Sequence, residues 1–359
     1  MIGLISFHCQ YNYGSALQAW AMQTTLEHLG YECIILNFYY KKDMKTYGIR
    51  WYSKRLSVIA FDLLTAPAMW KRKQAFHAFQ DTFFCQTERT RDWKKLAHLG
   101  YDCEVLICGS DQIWNYSITE GLHPAYFLDF ARSDQQKIAY APSINQTPIA
   151  TQIKTQLIEK LESFSAISVR EQDAAQQLSL WMKRPITAVL DPTLLLQASD
   201  YDLILEKCSV VFPEHYIFIY CLHLNHLPFL RQYAEAYAAS HNVKIVYCNK
   251  FDLNASPYAM NIFRYGPETF VSAIKKADYV IADSFHAAAF SIIFQKDFAT
   301  YSPDSCPSRM NTLFSSLGIG NRFITDIHQA LPEIPYDIVC ENLRCLQESS
   351  LDYLKNALE

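Results

Sequence analysis

A chain of 359 residues with 32 basic and 36 acidic side chains has a net charge of −4, which excludes the broad positive field of a nucleic-acid binder. Half of the residues are hydrophobic and 19% are charged, as in a globular protein, and the length predicts two domains. Eleven cysteines form no C-x-x-C pair, so Cys33, Cys103, Cys108, Cys221 and Cys248 read as small apolar strand residues in a reducing cytosol.

In chain order, residues 1–7 read as a strand rather than a leader, 15–29 as a helix stopped by Gly30, and 32–39 as a second strand. This βαβ opening implies a parallel sheet. Its loop, Cys9-Gln-Tyr-Asn-Tyr-Gly-Ser15, lacks the spacing of a dinucleotide fingerprint and carries no P-loop lysine. Residues 41–100 read as a mainly helical insertion. Within it, 56–70 followed by Lys71-Arg72-Lys73 is too short to span a bilayer. It suits either a core helix or one lying on a membrane surface.

Strands follow at 102–110, 125–129, 137–143, 166–169 and 186–190, with helices at 149–162 and 171–181. After a candidate linker at 199–215, a second set begins: strands at 216–222, 244–248, 279–282 and 298–301, with helices at 227–240, 267–277, 287–294 and 308–317. The expected division is therefore 1–198, 199–336 and a closing helix at 337–359. Two Rossmann-like domains facing a cleft resemble a GT-B glycosyltransferase, with ligands at the strands' C-terminal ends.

Several residues at those ends can carry chemistry. His286 follows the strand 279–282 at a helix start prepared by Asp283 and Ser284. It reads as a general acid or base, a phosphate contact, or a cap on its own turn. Arg170 closes a buried strand and needs an anion, either a ligand or the nearby Glu171 or Asp173. Arg309 is a third anion candidate or a surface residue. Asp111 and Asp191 could hold sugar hydroxyls or act as bases, with a capping role preferred for Asp191. Trp114 is either a sugar platform or core. His223 and His226 stand apart from any acid or cysteine in sequence, so no metal site is expected.

Taken together, Phe7-His-x-x-x-Asn12-Tyr-Gly-Ser15, Gly109-Ser-Asp-Gln-Ile-Trp-Asn115, Ile167-Ser-Val-Arg-Glu171 and Ala282-Asp-Ser-Phe-His286 resemble the polysaccharide pyruvyl transferase family. Leu190-Asp-Pro-Thr193 and Gly266-Pro-Glu268 add to the likeness. The resemblance implies a GT-B-like fold and transfer of pyruvate from phosphoenolpyruvate to two hydroxyls of a sugar, forming a cyclic ketal and releasing phosphate. It implies no cofactor, a glycan or lipid-linked acceptor, and work in the cytoplasm or at the inner membrane face. His286 and Arg170 fall on the family's histidine and arginine. Asn12, Gly14, Ser15, Ser284 and Arg309 are then expected around the donor, and Asp111, Gln112 and Asn115 around the acceptor. Ala287 departs from the glycine that commonly follows the histidine. A nucleotide-sugar glycosyltransferase and a non-catalytic glycan-binding protein are the competing expectations.

Overall fold

The computed structural model describes residues 1–40, 56–144, 148–250, 257–302 and 308–359, without the side chains of 56–61 and 308. Residues 41–55 of the expected insertion therefore lie outside the described residues.

Eleven short strands form two fully parallel sheets among the described residues. The first comprises β1 (Ile2–Ile5), β2 (Cys33–Ile35), β3 (Val105–Cys108), β4 (Gln136–Ala139), β5 (Ala166–Val169) and β6 (Thr187–Ala188). Their spatial order is β2-β1-β3-β4-β5-β6. The second comprises β7 (Tyr216–Tyr220), β8 (Lys244–Cys248), β9 (Tyr258–Asn261), β10 (Tyr279–Ala282) and β11 (Phe298–Thr300), in the order β11-β10-β7-β8-β9. Both orders reverse direction once, between β1 and β3 and between β7 and β10. Those switch points are where crevices open at strand C-terminal ends. Runs such as Tyr216-Ile-Phe-Ile-Tyr220 are buried along their whole length, because helices cover both faces of a parallel sheet.

The helices that matter for the site are α1 (Tyr13–His28), α2 (Leu56–Phe83), α3 (Gln172–Met182), α4 (Pro267–Lys276), α5 (Phe285–Ile293), α6 (Ser308–Leu317) and α7 (Tyr336–Leu358). Nearly every side chain of α1 from Tyr13 to Leu26 is buried. A helix that is apolar all round has neighbours all round, and α1 lies between the first sheet and the second domain. One apolar cluster accordingly runs through both domains, from Ile2 and Leu17 to Phe270 and Phe290.

A polar lock crosses that interface. Tyr13 stacks on Phe270 at 4.6 Å, and its hydroxyl meets the carbonyls of Ile262 and Tyr265. The buried Arg72 guanidinium donates to the Tyr13 hydroxyl at 2.6 Å, to the Phe263 carbonyl at 2.8 Å and to the Tyr11 carbonyl. The closing helix α7 ties the domains a second time. Gln347 donates to the Leu194 carbonyl, and Ser350 accepts the Leu190 N–H, while Asn342 donates to the Leu317 carbonyl at the end of α6.

Two expectations need correction. Residues 125–129 are not a strand: Pro124–Phe127 form a 3₁₀ turn with proline at its start, since proline offers no N–H to a ladder. The strand β9 was missed because its pairing with β8 is irregular and only half-buried. Arg72→Ala is expected to lower unfolding free energy by about 3 kcal/mol or more, since it strands buried carbonyls on both domains. Urea titration checks this; a loss under about 1 kcal/mol would mean the guanidinium is not the lock.

Candidate active site

The site grows from the C-terminal ends of β3, β5, β6 and β10. Arg170 leaves β5 and turns inward, with its side chain almost fully buried. Its Nη2 lies 2.6 Å from Oδ2 of Asp191, so neither Glu171 nor Asp173 is its ion-pair partner. Glu171 is engaged instead by the Ser143 hydroxyl. Asp191 performs the expected capping as well, since its Oδ1 accepts the Thr193 N–H at 3.0 Å and the Thr193 hydroxyl at 2.6 Å. One carboxylate thus caps a turn and holds the site's arginine. Arg170 drives its carboxyl well below the usual range, against the opposing pull of burial.

Ser110 completes this pair. Its hydroxyl lies 3.1 Å from Asp191 Oδ2 and receives a hydrogen bond from Arg170. Its N–H donates to Gln18 on α1, whose amide in turn donates to Ser6. The preceding Gly109 has a φ of +135°, and a Cβ there would fall 1.9 Å from the Tyr140 carbonyl oxygen. Only glycine brings the β3 loop this close to β4.

His286 approaches from the other domain. Ser284 is the N-cap of α5, its Oγ accepting the Ala287 N–H, and His286 occupies the first turn. The imidazole is buried, with Nε2 3.7 Å from Asp191 Oδ2 and without a hydrogen-bond partner. Its other edge lies against Gly14 on α1. A Cβ at Gly14 would sit 2.0 Å from the histidine Nδ1. The residue whose lack of a side chain admits His286 is therefore Gly14. Ala287 is buried inside α5, and its carbonyl accepts the Ser291 hydroxyl.

Two guanidinium groups flank Phe285. Arg170 lies 4.9 Å and Arg309 5.7 Å from the ring centroid. Nε and Nη1 of Arg170 and Nε of Arg309 are buried without hydrogen-bond partners. Burial, then repulsion from Arg170, lowers the proton affinity of Arg309. Both side chains line a cavity of about 90 Å³ with Asp191, Phe285, Ser349 and Ser350, the last two on α7. Unpaired cationic donors converging in a small cavity call for an anion.

Other expected residues are placed differently. The Gly14 and Ser15 N–H groups are taken by Asn12 Oδ1 at 2.9 and 3.3 Å, so they are capped rather than turned to a ligand. Asp111, with φ of +69°, accepts the Ser15 hydroxyl at 2.6 Å and the Gln112 N–H. Asn115 is held within its loop, donating to Gln112 and accepting from the Ser117 N–H. Trp114 is core: it stacks on Phe127 and donates to the Tyr126 carbonyl. Sequence reasoning missed Ser110 and Phe285, although both lie inside motifs it quoted.

Asp191→Ala would leave the Arg170 cation buried and unpaired, at a cost of about 3–5 kcal/mol. Because folding lowers the Asp191 pKa, its stabilisation is full above the ordinary carboxyl range and fades as pH falls through and below it. Denaturant titrations of wild type and Asp191→Asn across acidic pH test the sign: the wild type should lose more stability than the variant.

The fold and sequence have known counterparts. The chain resembles a putative UDP-N-acetylglucosamine 2-epimerase from Listeria monocytogenes at 10% identity and a TM-score of 0.54, covering 98% of this chain and 89% of that one. It also resembles the UDP-GlcNAc 2-epimerase of Methanocaldococcus jannaschii at 10% identity and a TM-score of 0.52, over 96% and 92% of the two chains. At such identity these likenesses establish the GT-B-like fold. No curated protein sequence matches the chain. The family of the polysaccharide pyruvyl transferases matches residues 12–305, a span that holds Arg170, Asp191, Phe285 and His286 but not Arg309. The chain therefore belongs to the polysaccharide pyruvyl transferase family and is a transferase.

Proposed function

We propose that this transferase moves the pyruvyl group of phosphoenolpyruvate onto two hydroxyls of a sugar in a surface glycan or its lipid-linked precursor. One observation carries the reading: Arg170 and Arg309, each with buried nitrogens lacking hydrogen-bond partners, line a small cavity whose Asp191 lies 3.7 Å from His286 Nε2, itself without a hydrogen-bond partner. Phosphoenolpyruvate carries a phosphate ester and a carboxylate on the same carbon, C2, and two guanidinium groups suit two anions.

One sugar hydroxyl adds across the enol double bond. Its oxygen bonds to C2, and the methylene carbon gains a proton. The second hydroxyl then replaces the phosphate at C2, and its proton leaves with the phosphate. Positive charge builds at C2 in both steps, so a buried carboxylate nearby is favourable. Asp191, held ionised by Arg170, meets that requirement. His286 is the proposed proton carrier, since its free Nε2 can take a hydroxyl proton and return it to the departing phosphate. The Ser284 hydroxyl is a further proposed donor contact. Asn12, Gly14 and Ser15 serve the donor site indirectly, by seating His286. The acceptor is proposed to lie along Asp111, Gln112 and Asn115. No organic cofactor is needed for this balance.

A lipid-linked acceptor would bring the enzyme to the inner membrane face. No described helix is long and apolar enough to cross a membrane. Peripheral contact is supported by α2, which exposes Leu64 at 82% and Trp70 at 61% beside Lys71.

The test is phosphate release from phosphoenolpyruvate with candidate glycan precursors, with mass spectrometry of the product. One added pyruvate ketal is expected. His286→Ala and Arg170→Lys should each lower kcat/KM by about 10²–10⁴-fold with the fold retained. Gly14→Ala should approach the His286→Ala rate by displacing the ring. Wild-type rates in the His286 and Arg170 variants, or nucleotide release from a sugar nucleotide instead of phosphate release, would sink the assignment.

A further inference from the structure

A second polar cluster lies at the switch point of the other sheet, where β7 and β10 end side by side. The sequence places His223 and His226 far from any acid, but the fold brings both onto Asp283, the residue after β10. Nδ1 of His223 and Nδ1 of His226 each lie 3.0 Å from the same oxygen, Oδ2 of Asp283. The carboxylate is nearly fully buried, His226 is largely buried, and the His223 side chain is 58% exposed. Asp283 is not a helix cap. Its Oδ1 accepts the Leu222 N–H at 2.7 Å and its Oδ2 the His223 N–H at 3.0 Å, which fixes the loop after β7.

We infer that His223, His226 and Asp283 form a binding site for one divalent transition-metal ion, with zinc as its natural probe. Two imidazole nitrogens and a carboxylate oxygen match the chemistry of such ions. The three donor atoms lie within 4.8 Å of one another. Ligand atoms bonded to a tetrahedral zinc at about 2.1 Å are about 3.4 Å apart. Each histidine nitrogen lies 3.0 Å from the carboxylate oxygen here, a few tenths of an ångström inside that spacing. The two histidine nitrogens, within 4.8 Å of each other, must close to about 3.4 Å to share one ion, a shift that the exposed His223 ring can supply. Each imidazole must present Nδ1 without a proton, so binding is favoured as pH rises. The backbone N–H bonds to Asp283 supply the outer support that keeps a ligating carboxylate oriented. The exposed His223 edge gives the ion a way in. An ion here would clamp the loop after β7 to the turn that carries Ser284 and His286.

The inference does not depend on the pyruvyl reading, because metal affinity is measured without phosphoenolpyruvate or sugar. The metal-stripped full chain is titrated with zinc against a chromophoric chelator and with cobalt by visible absorption. One ion per chain is expected, with ligand-field bands for cobalt and a rise in melting temperature with zinc. His223→Gln and His226→Gln keep a donor for Asp283, and each should weaken zinc binding by about 100-fold or more. Circular dichroism of the ion-free variants establishes that they fold. The double variant His223→Gln/His226→Gln should lose the cobalt bands. No ion bound by the wild type at micromolar zinc would overturn the inference. So would undiminished binding by the double variant, which would assign the metal to cysteines instead.

Discussion

An ionised carboxylate in the interior is the constraint on which the site depends. Asp191 has no exposed side-chain surface, yet it is held charged. Such a group persists only if its surroundings supply cations and donors at short range. Arg170 supplies the charge, Thr193 caps one oxygen, and Ser110 attends the other. Arg170 and Ser110 follow β5 and β3, while Thr193 shares the segment of Asp191 after β6, so satisfying one carboxylate aligns three segments of the first domain. The second domain adds His286 to the same oxygen's surroundings at 3.7 Å.

Charge balance around Phe285 follows from the same pair. Arg170 commits one nitrogen to Asp191 and leaves two without partners, while Arg309 has no described ion-pair partner. The pocket is therefore short of negative charge. The Phe285 ring that both guanidinium groups approach does not compete for their hydrogen bonds.

Much of this was legible in the chain. The βαβ rhythm, the polar strand ends and the Ser284 cap were readable because local periodicity and capping chemistry set them. His286 and Arg170 stood out because a histidine at a helix start and an arginine ending an apolar run both need explaining. What could not be read was pairing across sequence. Asp191 meets Arg170 across β5 and β6, and Asp283 gathers His223 and His226 from β7's loop. Gly14 makes room for a side chain 272 positions away. Spacing along the chain carries no trace of such contacts, since they are created by strand order. The same gap explains Trp114, whose stacking on Phe127 depends on a 3₁₀ turn that reads as a strand.

The contact between Gly14 and His286 joins residues of different domains with no space to spare. Opening the interface and dismantling the reaction centre are then one event rather than two. For evolution, this couples the site to domain ancestry. A second domain recombined from a relative must arrive with a helix start that fits this particular glycine. Domain exchange that does not preserve this fit is thereby disfavoured.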